Sequence, residues 1–407
     1  MTTSTWTTDH AKILLNGQDF FVKGVNYAPV PIGGSQEWAP ILDWFTDGSD
    51  STLDCREIWQ RDLSRLQEMG ANAIRTYATW PWIPTLENYD RAQAGTLPDA
   101  RSHQLFLDAC GQHGIYVLIT INPQIGDMWP GCHGLGSVTR AARNDKYYEF
   151  FRQTVNHMSQ AYGKHPALMG FCIGNEFDKP EGRGTAEFYD VLNSLGKVAK
   201  DNAPTKMVTF AWYDATSDND NLGNDQNEVK MTSFDVIGIN CYEGLGMEGN
   251  LIRRHREMNG DGRKVKPLLI TEWGCPYSSR ENGNVCELPA AKIPDLEKFL
   301  QAEYDAMAKN RDVCAGGFYF EWCDEYWKQP GTPIWDHTGE GRPEPAFPGG
   351  FWDEKWFGLM AVQVHSGRPP KDPVNTRTGE LYPIDIHTPR SHFKYISDLF
   401  HQPAANG

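Results

Sequence analysis

Two apolar runs in this 407-residue chain each end on a glutamate. Ala167-Leu-Met-Gly-Phe-Cys-Ile-Gly-Asn175 leads into Glu176, and Pro267-Leu-Leu-Ile-Thr leads into Glu272-Trp273-Gly274. Runs this apolar belong to strands covered on both faces, so each carboxylate must stand where the chain leaves the interior and opens to a cavity. Held roughly 5–5.5 Å apart, one protonated and one ionised, two carboxyl groups can cleave a glycosidic bond with retention of configuration. A single strand-end glutamate is as well explained by a structural bond to backbone N–H groups. Two at matching positions weaken that explanation.

The elements that must position them recur with one rhythm. Strand-like runs over 21–27, 72–77, 116–122, 167–176, 206–212, 235–242, 267–273 and 315–322 are mostly apolar without strict alternation. Helix patterns separate them over 56–69, 102–113, 144–162, 185–200, 249–258 and 294–309, and a last one covers 392–400. Eight such strands in alternation with helices predict an α/β fold, a closed (β/α)8 TIM barrel with long βα loops at its C-terminal face. Glu176 then ends the fourth strand and Glu272 the seventh, and both open on the same mouth. Ile13 to Phe21, with Asn16-Gly17 at its centre, reads as an N-terminal β-hairpin. The Pro/Gly-rich stretch 329–350 reads as a long loop after the eighth strand. The expected organisation is one catalytic barrel over 1–407. Other long connections cover 29–55, 123–143, 213–234 and 275–293.

Composition narrows the function. Hydrophobic residues make up 40% and charged residues 22%, which suits a globular chain. A formal charge of −15 argues against a nucleic-acid or anionic-membrane partner, since phosphate binding needs clustered Lys and Arg. The nine cysteines show no metal-ligand spacing, although Cys275 and Cys286 flank a loop and could pair. No cofactor and no metal is expected: a metal-dependent barrel hydrolase would want His-x-His at the first strand's end, where Val25-Asn26-Tyr27 stands. The first residues, Met-Thr-Thr-Ser-Thr-Trp, carry no basic or apolar leader, and no apolar run approaches the ~20 residues that span a bilayer. That predicts a cytoplasmic protein, or a secreted one if a signal peptide has been removed.

The motifs carry a family resemblance. Ile173-Gly-Asn175-Glu176 resembles the Asn-Glu acid/base motif of clan A glycoside hydrolases, and Leu269-Ile-Thr-Glu272-Trp-Gly their nucleophile strand. Gly24-Val-Asn-Tyr27 and Ala73-Ile-Arg75-Thr-Tyr77 resemble the clan's first two strands. Asp235-Val-Ile-Gly-Ile-Asn240-Cys-Tyr242 is similar to strand six of the β-galactosidase, β-glucuronidase and β-mannosidase family. Gly316-Gly-Phe-Tyr-Phe320-Glu-Trp322-Cys-Asp324 resembles strand eight of that family and of the fungal β-1,3-glucanosyltransferases, a likeness that Trp356-Phe-Gly358-Leu extends.

The resemblance implies roles. Glu272 is the nucleophile and Glu176 the acid/base. Arg75 lies under Glu272 and keeps it ionised, Tyr242 orients it, and Asn175 binds the sugar 2-hydroxyl. Asn240 and Tyr242, two apart, share the inward face. Phe320 and Trp322 should share a face too, with Trp322 the platform beneath the sugar and Glu321 pointing away from the mouth. Tyr27, Trp80, Trp212 and Asn122 complete the expected substrate-binding set from other strand ends. Weaker candidates are His133, Asp178, Asp214, Glu243 and Glu325. The implied activity is retaining hydrolysis of β-linked glucosides or β-glucan oligosaccharides by double displacement. The alternatives are a glucanosyltransferase, a β-mannosidase- or β-galactosidase-type hydrolase, and a non-catalytic sugar-binding barrel.

Overall fold

The computed structural model describes residues 3–34, 43–48, 54–77, 79–122, 146–176, 186–212, 231–259, 266–328, 334–366 and 384–402. Eight parallel strands form a closed barrel in sequence order. They are β1 (Val22–Tyr27), β2 (Ala73–Thr76), β3 (Tyr116–Ile121), β4 (Leu168–Asn175), β5 (Met207–Trp212), β6 (Ile237–Asn240), β7 (Leu268–Trp273) and β8 (Cys314–Tyr319). The ring closes where β8 pairs with β1, Gly316 opposite Val22 and Tyr319 opposite Val25.

Side chains sort into two layers, as alternation along a strand requires. Val22, Leu118, Met169, Met207, Leu269 and Phe318 fill the barrel interior. The opposite faces pack outward under the helices. In α1 (Arg56–Glu68), Ile58, Trp59, Leu63 and Leu66 recur at helical spacing and are buried. Gly70, at φ +84°, follows it in the left-handed conformation that glycine adopts most readily. The helix α2 (Leu86–Ala94) was not expected. It starts on Thr85, whose Oγ1 accepts from the Asn88 N–H at 3.2 Å, and stops on Gly95 at φ +71°. Both end signals stand in the sequence, but nine residues give too few turns for a clear apolar period. Then come α3 (Gln104–Gln112), α4 (Lys146–Tyr162), α5 (Ala186–Asn202), α6 (Arg253–Asn259), α7 (Ile293–Ala308) and α8 (Ser391–His401).

The N-terminal hairpin is a three-stranded antiparallel sheet, because Trp6–Asp9 joins Lys12–Leu15 and Gln18–Asp19. Asn16 and Gly17 have φ of 51° and 80°, the paired positive values of a tight hairpin turn. This sheet plugs the end of the barrel opposite the mouth. Trp6 and Ile13 join the interior cluster, and the Trp6 indole donates to the carbonyl of Leu168, the first residue of β4, at 3.1 Å. The described part of 329–350 is more ordered than a plain loop, since Arg342–Pro343 pairs with Phe351–Trp352. Cys275 and Cys286 do not pair. Cys286 lies opposite Ser279 in a hairpin, whereas Cys275 is buried before that hairpin begins. Among the described residues no helix is long and apolar enough to cross a membrane.

Barrel closure leaves no room at Gly316. Its φ is +102°, and a Cβ there would stand 2.2 Å from the Val22 carbonyl oxygen. At Gly17, φ is +80° but nothing lies within 4 Å. Gly17→Ala should cost roughly 1–2 kcal/mol, the left-handed penalty alone. Gly316→Ala should cost about 1–3 kcal/mol more through overpacking. Thermal unfolding of the two variants measures the difference, and equal losses would contradict a tight β8–β1 seam.

Candidate active site

Arg75 shares the inward face of β2 with Ala73 and is completely buried. Its Nη1 donates to Glu272 Oε1 at 2.9 Å, to the Thr271 carbonyl at 3.1 Å and to Asn26 Oδ1 at 3.4 Å. Nη2 donates to Asn175 Oδ1 at 2.7 Å and Nε to Thr120 Oγ1 at 3.3 Å. Burial alone would make the guanidinium easier to deprotonate. The surrounding groups, Cys172, Tyr77 and Glu272, more than reverse that and raise its pKa.

Glu272 sits near the end of β7 and is 4% exposed. Thr271 and Glu272 both reach into the barrel, which strict alternation forbids. The β7–β6 register shifts between Ile270 and Glu272, and an irregularity of this kind re-aims a side chain. Besides Arg75, the Tyr77 hydroxyl donates to Oε1 at 2.5 Å and the Tyr242 hydroxyl to Oε2 at 2.6 Å. All three partners are donors, the complement an acceptor-only carboxylate requires. Burial first, and then the negative charge of Glu272, hold both phenols well above the ordinary tyrosine range, so they stay protonated.

Glu176 follows the last residue of β4 and is half-buried. Its Oε1 accepts from Asn240 Nδ2 at 3.0 Å. The same Nδ2 lies 3.2 Å from Asn175 Oδ1, and Asn240 Oδ1 accepts from the Thr271 hydroxyl at 2.7 Å. A continuous path of hydrogen bonds therefore joins the two carboxylates: Glu272, Arg75, Asn175, Asn240, Glu176. The Glu176 backbone has φ +54°, a left-handed conformation that L residues enter at a cost of roughly 1–3 kcal/mol and that clusters at functional sites.

The structure brings Arg75, Asn175, Glu176, Asn240, Tyr242 and Glu272 together. Phe320 joins them, its ring edge-on to Tyr77 at 5.9 Å and to Tyr242 at 6.0 Å. Asn122 is buried just past β3, two residues beyond Thr120. Four expected aromatics are elsewhere. Tyr27 donates its hydroxyl to Asp62 Oδ2 of α1 at 3.0 Å, because Asn26 takes the inward position and Tyr27 must turn out. Trp212 faces outward against Phe210 at 4.4 Å, since Met207 and Ala211 hold the inward positions of β5. Trp80 is fully buried with its ring 6.0 Å from Phe151 of α4. Trp322 is fully buried between Tyr27 and Phe393. The strand β8 ends at Tyr319, so the two-residue period that would have set Trp322 beside Phe320 no longer holds.

Glu321, expected to point away from the mouth, is buried beside Lys328. It is 1% exposed, with Oε1 4.0 Å from Lys328 Nζ, and Glu325 pairs with the same lysine at 2.6 Å. Glu243 is half-buried and accepts from Asn250 at 3.0 Å. His133, Asp178 and Asp214 lie outside the described residues. Tyr77 was missed as a site residue, yet its signal was available: it is two positions after Arg75 and so shares its face. Among the described residues no group of three His, Cys, Asp or Glu is placed to hold a metal ion.

The family model for glycosyl hydrolases family 2, TIM barrel domain, matches residues 98–329, more than half of the chain. The chain belongs to this family. As a family 2 barrel it is also similar to curated proteins of yeasts and moulds. A Saccharomyces cerevisiae protein named "Probable 1,3-beta-glucanosyltransferase GAS3" is 26% identical over 326 residues, 75% of this chain and 52% of the relative. The Candida albicans 1,3-beta-glucanosyltransferase PGA4 is 23% identical over 318 residues, 76% of this chain and 57% of the relative. The chain thus spans about half the length of the curated relatives it matches.

Solved structures carry the same fold. A GH2 β-galacturonidase from Eisenbergiella tayi bound to galacturonate matches with TM-score 0.57 and 18% identity, over 98% of this chain and 54% of that one. Saccharomyces cerevisiae Gas2p in complex with laminaritetraose and laminaripentaose matches with TM-score 0.55 and 19% identity, over 98% and 67%.

The left-handed backbone at Glu176 makes a stability prediction that is independent of turnover. Glu176→Ala and Glu176→Gly both delete the carboxylate, but only glycine relieves the backbone. The glycine variant should therefore be the more stable by roughly 1 kcal/mol, less a few tenths for its looser unfolded chain. Matched melting curves decide it, and an alanine variant of equal or greater stability would show that the site holds no strain at this position.

Proposed function

We propose that the protein is a retaining β-glycosidase that works by double displacement on β-linked glucan, with transfer to a second sugar competing with hydrolysis. The observation that carries this reading is the pair of strand-end glutamates set in unlike surroundings on one hydrogen-bonded path. Glu272, nearly sealed from water and gripped by Arg75, Tyr77 and Tyr242, is the nucleophile. Glu176, half-buried and held by Asn240, is the acid/base. Glu176 gives its proton to the leaving oxygen as Glu272 attacks the anomeric carbon. Water or a sugar hydroxyl then attacks the glycosyl-enzyme while Glu176 takes a proton back. Tyr77 and Tyr242 give up part of their bonding to Glu272 as its charge is spent on the new C–O bond. Phe320, between them, supplies the apolar floor of the reacting subsite in place of Trp322.

The choice of glucan rests on the curated relatives named as 1,3-beta-glucanosyltransferases and on the laminari-oligosaccharides bound to Gas2p. The experiment is a panel of laminarin, mannan, galactosides and glucuronides, with products read by chromatography and by proton NMR of the first-formed anomer. A β-anomer and oligosaccharides longer than the donor are expected from laminarin. An α-anomer would exclude the retaining mechanism, and turnover of mannan, galactoside or glucuronide alone would exclude the glucan.

The two glutamates separate by leaving group. Glu272→Ala should lose at least ~10³-fold in kcat on every substrate, with partial rescue by azide or formate. Glu176→Ala should lose about 10²–10⁴-fold on laminarin but far less on a 2,4-dinitrophenyl glycoside, whose leaving group needs no proton. Equal losses on both substrates would remove Glu176 from the acid role.

A further inference from the structure

Beyond the two glutamates, the site wall holds a second buried charge cluster. Lys328 stands in the chain that follows β8, with 14% of its side chain exposed. Its Nζ lies 2.6 Å from Glu325 Oε2, 3.5 Å from Glu354 Oε2 and 4.0 Å from Glu321 Oε1. Glu321 and Glu325 are each 1% exposed. Burial and then the charge of Glu325 push Glu321 well above the usual carboxylate range. Burial alone would lower Lys328, but Glu321, Glu325 and Glu354 together push it up and keep it cationic.

This ammonium faces the site. It sits 4.2 Å from the centroid of the Phe320 ring and 5.6 Å from that of Tyr77, within the reach of a cation–π attraction. The Arg75 guanidinium lies 5.1 Å from the same Tyr77 centroid. Tyr77 is thus a phenol flanked by two cations, and its hydroxyl makes the 2.5 Å bond to Glu272. A cation near an aromatic face draws density from the ring, and a phenol so depleted is a stronger hydrogen-bond donor. Arg75 touches Glu272 directly, whereas Lys328 connects to it through the Tyr77 ring and hydroxyl.

We infer that Lys328, anchored by Glu325 and Glu321, is a positioning residue that strengthens the Tyr77 hydrogen bond to Glu272. The inference rests on Glu272 being the nucleophile. The charged and titratable groups around it are Glu321, Glu325, Glu340 and Glu354 on the lysine side, and Arg75, Tyr242 and Glu272 on the tyrosine side.

The test is a double-mutant cycle on the full chain, in which the rate of covalent glycosyl-enzyme formation is followed by intact-protein mass. The probe is 2-deoxy-2-fluoro-β-laminaribiosyl fluoride. Lys328→Met should slow labelling about three- to thirtyfold and move the acidic limb of its pH profile upward. The shift is upward because a weakened donor favours the charged carboxylate less. Lys328→Arg should restore most of the rate. In a Tyr77→Phe background, Lys328→Met should have no further effect on rate or limb. If the lysine deletion leaves acids that prevent folding, Lys328→Met with Glu325→Gln removes one charge of each sign and enters the same cycle. Equal losses with and without the Tyr77 hydroxyl would overturn the inference, as would a rate within twofold of wild type. If peptide mapping of the labelled wild-type protein does not place the adduct on Glu272, the proposed function falls and this inference with it. Labelling at Glu272 without coupling between Lys328 and Tyr77 would sink this inference alone.

Discussion

The structure turns on a guanidinium buried in a barrel. Arg75 has no exposed surface, and its donors reach Asn26 on β1, Thr120 on β3, Asn175 on β4 and both Thr271 and Glu272 on β7. Desolvating an ion costs several kcal/mol, and only a well-placed counter-charge with a full set of hydrogen bonds offsets that. The offset here comes from side chains of separate strands, so the strands must hold their registers for the charge to be tolerated. Catalytic geometry and barrel geometry are then one requirement. The carboxylate that satisfies the guanidinium is the one proposed to attack the sugar.

The same guanidinium explains why the two glutamates differ although both close apolar strands. Glu272 lies where Arg75 points and is walled by two phenols. Glu176 meets the network at the Asn240 amide, at a backbone position that β structure does not favour. Two carboxyl groups in unlike surroundings are what separates an acid from a nucleophile.

The barrel was legible because apolar runs broken by helices at regular intervals have few other solutions, and the family match agrees with that reading. Glu176 and Glu272 were legible because a carboxylate after so apolar a run has nowhere else to go. Alternation placed Arg75 and Asn240 within their strands and Tyr242 just past one, and the same rule would have placed Tyr77, which directly follows β2. Tyr27 and Trp212 have the right residue type on the outward parity, and Trp322 lies beyond the end of β8. Lys328 carries no local signal at all, since its partners become neighbours only through the turn of the chain after β8. Short elements such as Trp6–Asp9 and α2 escaped because four or nine residues do not establish a period.

The seam between β1 and β8 has a kinetic side. Val22 and Gly316 are about three hundred residues apart in sequence, and the first barrel strand stays an open edge until the last arrives. Arg75 likewise waits about two hundred residues for Glu272. A chain emerging from the ribosome therefore holds an unpaired edge while about three hundred residues are added and an uncompensated cation while about two hundred are added. Loop-closure entropy is spent long before those contacts repay it, which slows folding and leaves the open edge prone to intermolecular pairing. A partly closed barrel is then penalised twice, once along its backbone edge and once at its buried charge. Folding of the described barrel should be strongly cooperative, with little stability until the ring is complete.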